Sequence, residues 1–126
     1  MHGAVMSISA KQETLASEAI ANESVRAMLR AHGDDGSATR HVRHYAYPKA
    51  DALPVRKDLV SHLRASGFEV SDAQADNGLV MEHYRPVSGE DFDRITAELR
   101  DWFSDHGWDY DGWECAIVAP DLAAAS

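Results

Sequence analysis

Histidine is the residue type in this chain best suited to do chemistry, with seven copies. His41-x-x-His44 is the tightest pair, and two imidazoles at that spacing hold a metal when they sit on one face of a helix. Residues 40–47, however, alternate and are rich in β-formers, which predicts a strand. Residues three apart on a strand face opposite ways, so this pair holds no metal. His44 and His83 can approach each other across neighbouring strands, but no third ligand is apparent. His44 therefore reads as a packed, hydrogen-bonded strand histidine. Cys115 has no CxxC companion and reads as a buried structural thiol rather than a nucleophile. Asp109 and Asp111 share a strand face, yet acid–base work needs a pocket around such a pair. Nucleophile-elbow, phosphate-loop, dinucleotide and zinc-helix motifs are absent. The prediction is a protein with no catalytic residue, no cofactor and no metal.

Composition agrees with a binding protein. The chain has 126 residues, 44% hydrophobic and 26% charged, the balance of one ordinary globular domain. A single cysteine rules out an internal disulfide and fits a reducing compartment. The first ten residues lack a basic, then apolar, leader pattern, and no stretch approaches the ~20 apolar residues of a membrane span. A cytoplasmic protein without membrane contact is predicted. The net charge of −9 is unevenly placed. Residues 40–64 carry six bases against two acids, whereas residues 87–126 carry ten acids against Arg94 and Arg100. A field of that sign repels nucleic-acid phosphates and speeds encounter with basic partners. The predicted partner surface is Glu90, Asp91, Asp93, Asp101, Asp105, Asp109 and Asp111, engaging a basic protein segment. The plainer reading of the same acids is a solvated helix face.

The elements that position these groups follow from pattern. Residues 1–21 are rich in Ala and Ser and predict an arm, disordered or weakly helical. Asn22 or Ser24 caps a helix with Val25, Met28 and Leu29 on one face, and Gly33 ends it. Asp34-Asp35-Gly36-Ser37 is a turn. Strand 40–47 stops at Pro48. A helix from about Asp51 has Pro54 in its first turn and buries Leu53, Leu59, Val60 and Leu63. Residues 68–72 form a short strand, Asp76-Asn77-Gly78 a hairpin turn, and residues 79–85 a third strand. Ser88 and Asp91 approximate a capping box for a helix whose stripe is Phe92, Ile95, Leu99, Trp102 and Phe103. A last strand over 108–118 carries a bulge or kink at Asp111-Gly112.

That order predicts an α+β, ferredoxin-like βαββαβ domain. Four antiparallel strands form the sheet, with two long helices on one face, the other face open, and a further helix in front. One domain is predicted at 22–118, with a short tail at 119–126. The open face leaves an alternative function. Arg43, Tyr45 and Tyr47 share a strand face and suit base stacking by an RNA-binding module, although the motif of RNA-recognition sheets is missing and the net charge opposes phosphate. Tyr110-Asp111-Gly112-Trp113 has two readings: a kinked anchor of the sheet to its helices, or an aromatic-acidic contact site.

Four ordered strings give the chain a resemblance. They are Asp35-Gly36-Ser37, His44 within the first strand, Gly67-Phe68-Glu69-Val70-Ser71-Asp72, and Tyr110-Asp111-Gly112-Trp113. Over about residues 22–118 it resembles the regulators of ribonuclease E activity B, the RraB-like proteins, departing from them at Glu114, where glycine is common. The resemblance marks Asp35, Gly36, Ser37, His44, Gly67, Glu69, Asp72, Tyr110, Asp111, Gly112 and Trp113 as family positions. It implies a ferredoxin-like fold without catalytic activity, and an acidic protein that binds a basic, disordered scaffold region of ribonuclease E and damps RNA cleavage.

Overall fold

The computed structural model describes residues 10–118; the predicted tail at 119–126 and residues 1–9 of the predicted arm lie outside them. Helix α1 spans Ala10–Ala31. Strand β1 follows at Arg40–Pro48, then a 3-10 turn at Leu53–Val55 running into α2 at Arg56–Ala65. Strands β2 (Glu69–Asp72) and β3 (Leu79–Arg85) form a hairpin. Helix α3 covers Glu90–Asp105 and β4 covers Trp108–Cys115. The sheet order is β2-β3-β1-β4 with every neighbouring pair antiparallel, which is the predicted ferredoxin-like arrangement. No helix among the described residues is long and apolar enough to cross a membrane.

Local chemistry explains most boundaries. Gly33 and Gly67 take φ of 81° and 100° where α1 and α2 end. Asp76 and Asn77 both sit at φ 58°, and the Gly78 N–H reaches the Ala75 carbonyl at 3.2 Å. This is the left-handed turn that Asp-Asn-Gly favours. At Asp111 the pairing of β1 with β4 slips by one residue, and Gly112 adopts φ 102°. The predicted bulge has a clear consequence. Tyr110 and Trp113 are three apart and would face opposite ways on a regular strand; the extra residue turns both toward the helices.

Four expectations are corrected. Helix α1 begins at Ala10, well before the expected caps at Asn22 or Ser24, and Asn22 is a buried mid-helix residue. Its buried face is Glu18, Asn22, Arg26 and Leu29, while Met28 is 65% exposed. Ser88 and Asp91 form no capping box: the N-cap is Gly89 at φ 85°, without a side-chain cap bond. Leu53 is exposed because it lies in the 3-10 turn ahead of α2.

The core occupies the helix side of the sheet. Leu59 and Leu63 of α2, Leu99 and Phe103 of α3, and Leu79, Met81, Trp108 and Tyr110 of the sheet form its larger cluster. Leu29, Val42, Val87 and Phe92 form a second, with Trp113 and Cys115 packed against it. Cys115 is half-buried, and burial pushes its thiol pKa up, which disfavours the nucleophilic thiolate.

Candidate partner-binding surface

Helix α1 meets α3 through polar side chains. Glu18, Asn22 and Arg26 recur every four residues and so share one face, and each is buried. Arg26 holds Asp93 at 2.5 Å and donates to the carbonyls of Val87 (2.8 Å) and Gly89 (3.2 Å). Asn22 donates to Asp93 and Thr96, both at 2.9 Å, and accepts from the Trp113 indole at 2.7 Å. Glu18 pairs with Arg100 at 3.1 Å. Buried polar groups are tolerated when every member finds a partner, and this seam meets that condition. Asp93, predicted as part of the acidic partner surface, is corrected by this network: it is 6% exposed and serves the α1–α3 seam.

Beyond the seam the two helices leave a groove of about 520 Å³, bordered by Leu15, Ala97 and Trp102 as apolar surface and by Glu98, Asp101 and Asp105 as acids. Arg94 is the one base on it. Asp101 accepts a hydrogen bond from Thr14 at 2.9 Å, whereas Glu98 and Asp105 make no ion pair among the described residues. The placement is electrostatically unfavourable for α3 itself. Asp101 and Asp105 lie toward the C-terminal, negative end of the helix, and its last turn has no base.

The other predicted acids are dispersed. Glu90 and Asp91 stand at the N-terminal end of α3, where they complement the helix dipole and pair with Arg94 at 3.8 and 3.5 Å. Asp109 alternates away from the helices onto the open face and lies 3.4 Å from Lys49. Asp111 is the exposed bulge residue. Of the predicted acids only Asp101 and Asp105 border the groove, and pattern reading missed Glu98 beside them.

Several family positions hold the fold together. Gly36 takes φ 81°, and its carbonyl accepts from the N–H groups of Val87 (2.9 Å) and Ser88 (3.1 Å). Asp35 accepts from the Ser37 backbone and hydroxyl. Beside them, Arg40 grips the buried Asp34 carboxylate with both arms of its guanidinium, one of them at 2.9 Å. This bond holds the Asp34 carboxyl well below the usual carboxylate range. Glu69 and Asp72 are exposed on β2, Asp72 pairing with Arg56. Trp113 packs edge-on to Phe92 at 4.6 Å, the anchoring arrangement of the two readings given for its string. On the open face, Glu82 engages Arg43 at 3.1 Å and Glu114 accepts from the Tyr45 hydroxyl. Carboxylates thus occupy the groups that an RNA phosphate would need, while Tyr47 lies against Gly78.

His44 is fully buried, with Nδ1 2.7 Å from the Tyr110 hydroxyl and Nε2 2.8 Å from His83 Nε2. The strand pair thus approaches as predicted. Burial drives the pKa of His44 down to about 3 and that of His83 to about 4, against roughly 6.5 in an unfolded chain. Both rings stay neutral in the fold, while the unfolded chain takes up protons below about pH 6.5. Stability is therefore present above that value and lost as pH falls toward 4, by at most about 1.4 kcal/mol per pH unit for each ring. His83, less buried, contributes less. Urea unfolding should show a loss of about 2 kcal/mol or more between pH 7 and pH 5; equal stability at the two would contradict this. Asp34 adds its own loss only below about pH 4.

The described residues contain no group of three or more metal-ligating side chains. A family model described as RraB, regulator of ribonuclease activity B, matches residues 19–115. No curated protein matches the chain.

Proposed function

We propose, since the chain belongs to the RraB family of regulators of ribonuclease activity, that it acts in the cytoplasm without catalysis, by binding a basic segment of a ribonuclease such as ribonuclease E and lowering RNA cleavage. The observation that carries this reading is the α1–α3 groove, where Glu98, Asp101 and Asp105 surround the apolar surface of Leu15, Ala97 and Trp102. An Arg- or Lys-rich segment lays its alkyl stems on that apolar surface and its charges against the acids. The Trp102 ring adds a cation–π partner worth roughly 0.5–1 kcal/mol at an exposed site. Acids at the negative end of a helix cost the fold a few tenths of a kcal/mol each, and a binding role accounts for their presence there.

The test exploits that cost. Asp105→Lys should raise folding stability by about 0.3–1 kcal/mol, because it places a cation at the helix C-terminus. The same change should weaken binding of an Arg-rich peptide from the ribonuclease scaffold by about tenfold or more. Asp109→Lys, on the open face, should leave affinity within about twofold, since salt screens charges beyond roughly 10 Å at 0.1 M. Urea unfolding reads the first, and calorimetric titration at low and high salt reads the other two. No binding at low salt, or binding indifferent to salt, would overturn the proposal.

A further inference from the structure

A second depression on the helix side adjoins the groove, Glu98 and Trp102 bordering both. It is a cleft of about 370 Å³ between the end of α2 and the middle of α3, bordered by His62, Phe68, His83, Arg85, Glu98 and Trp102. Aromatic surface is concentrated there. His62 stacks on Trp102 at 4.8 Å and 24°, and Phe68 lies 4.8 Å from the His83 ring.

The polar side of the cleft is fixed from beneath. Burial raises the Tyr110 phenol far above its ordinary value, so the hydroxyl keeps its proton, and its one side-chain partner among the described residues is His44 Nδ1. It must donate there; otherwise its hydrogen is buried without an acceptor, a costly state. A neutral His44 that accepts at Nδ1 carries its hydrogen on Nε2. That hydrogen goes to His83 Nε2, which makes Nε2 an acceptor and puts the His83 hydrogen on Nδ1. The resulting N–H, on a ring that borders the cleft, has no acceptor among the described residues. Two residues along β3, Arg85 makes no ion pair among the described residues, and its Nε reaches only the Pro86 carbonyl at 3.4 Å.

We propose that this cleft binds a small aromatic carboxylate. The guanidinium of Arg85 pairs with the carboxylate, the His83 Nδ1–H donates to it, and the ring packs on Phe68 and Trp102. Glu98 at the border repels any anion and most strongly those of higher charge, so the attraction to a single carboxylate comes from Arg85 and the His83 N–H. The volume admits one substituted ring and excludes a folded peptide. The proposal does not rest on the ribonuclease reading, because its polar groups, Arg85 and His83, lie on β3 outside the groove, although Glu98 and Trp102 border both sites.

Nitrogen-15 NMR of the full chain tests it with benzoate, acetate and benzamide as probes. Long-range spectra of the free protein should show hydrogen on Nε2 of His44 and Nδ1 of His83; the opposite order would overturn the donor argument without any substitution. Benzoate should shift the His83 and Arg85 side-chain signals and the Trp102 indole, with acetate and benzamide each at least about tenfold weaker. Arg85→Gln should weaken benzoate by about tenfold or more. Unmoved signals at about 10 mM benzoate, or acetate binding as well as benzoate, would dispose of the site.

Discussion

Arg40→Ala is expected to remove about 3–5 kcal/mol of folding stability, because it strands a buried carboxylate without its counter-charge. Arg40 and Asp34 have side chains 0% and 1% exposed. Arg40 also donates to the carbonyls of Ala38 and Ala116, and Asp34 accepts from the backbone of Gly36 and Val118. The pair thus ties the turn after α1 to the start of β1 and to the chain leaving β4. A loss of that size is a large share of the roughly 5–15 kcal/mol that hold a domain of this kind together. Asp34→Asn combined with Arg40→Met should be milder than Arg40→Ala alone. The charges then vanish together, and the amide oxygen keeps one of the two backbone bonds, since Gly36 and Val118 donate to separate Asp34 oxygens. Urea unfolding measures both, and a loss under about 1 kcal/mol for Arg40→Ala would show that the pair is not desolvated as described.

Arg26→Ala should cost a similar 3–5 kcal/mol for the same physical reason, but its effect should be concentrated at one seam. It leaves Asp93 held only by Asn22 and frees the carbonyls of Val87 and Gly89. Amide hydrogen exchange should then rise in α1 and the N-terminal half of α3, while β1 and β3, which are paired on both edges, keep their protection. Because Leu15 of α1 and Trp102 of α3 both line the proposed partner groove, the same change should weaken peptide binding even though Arg26 does not line it. Uniform loss of protection across the sheet would place the seam inside the global folding unit instead.

The fold was legible because its signals are local. Alternation in β1, the Asp-Asn-Gly turn, the Phe92 to Phe103 stripe and the glycine stops each act within a few residues, and each is present in the structure. The front of α1 was illegible for a definite reason. A pattern search for buried faces looks for apolar residues, and the face that α1 buries is Glu18, Asn22 and Arg26. Those residues are stable inside only because Asp93, Thr96, Arg100 and Trp113 meet them from far along the chain. Asp93 was misread for the matching reason: next to Asp91 and Glu90 it looks like one more surface acid.

By its own order of residues the chain determined a four-stranded α+β domain, a negative last third and membership of a regulator family, since periodicity, charge and motif order are properties of the string. Tertiary structure alone decided which acids lie together. It buried Asp93, sent Asp109 to the open face, and gathered Glu98, Asp101 and Asp105 around an apolar floor to which α1 contributes. It also joined His44, His83 and Tyr110 into one relay beneath the second cleft. The reason is common to both sites: a charge or a ring nitrogen acquires its role from the groups packed around it, and here those groups come from distant segments that only the folded sheet and helices bring into contact.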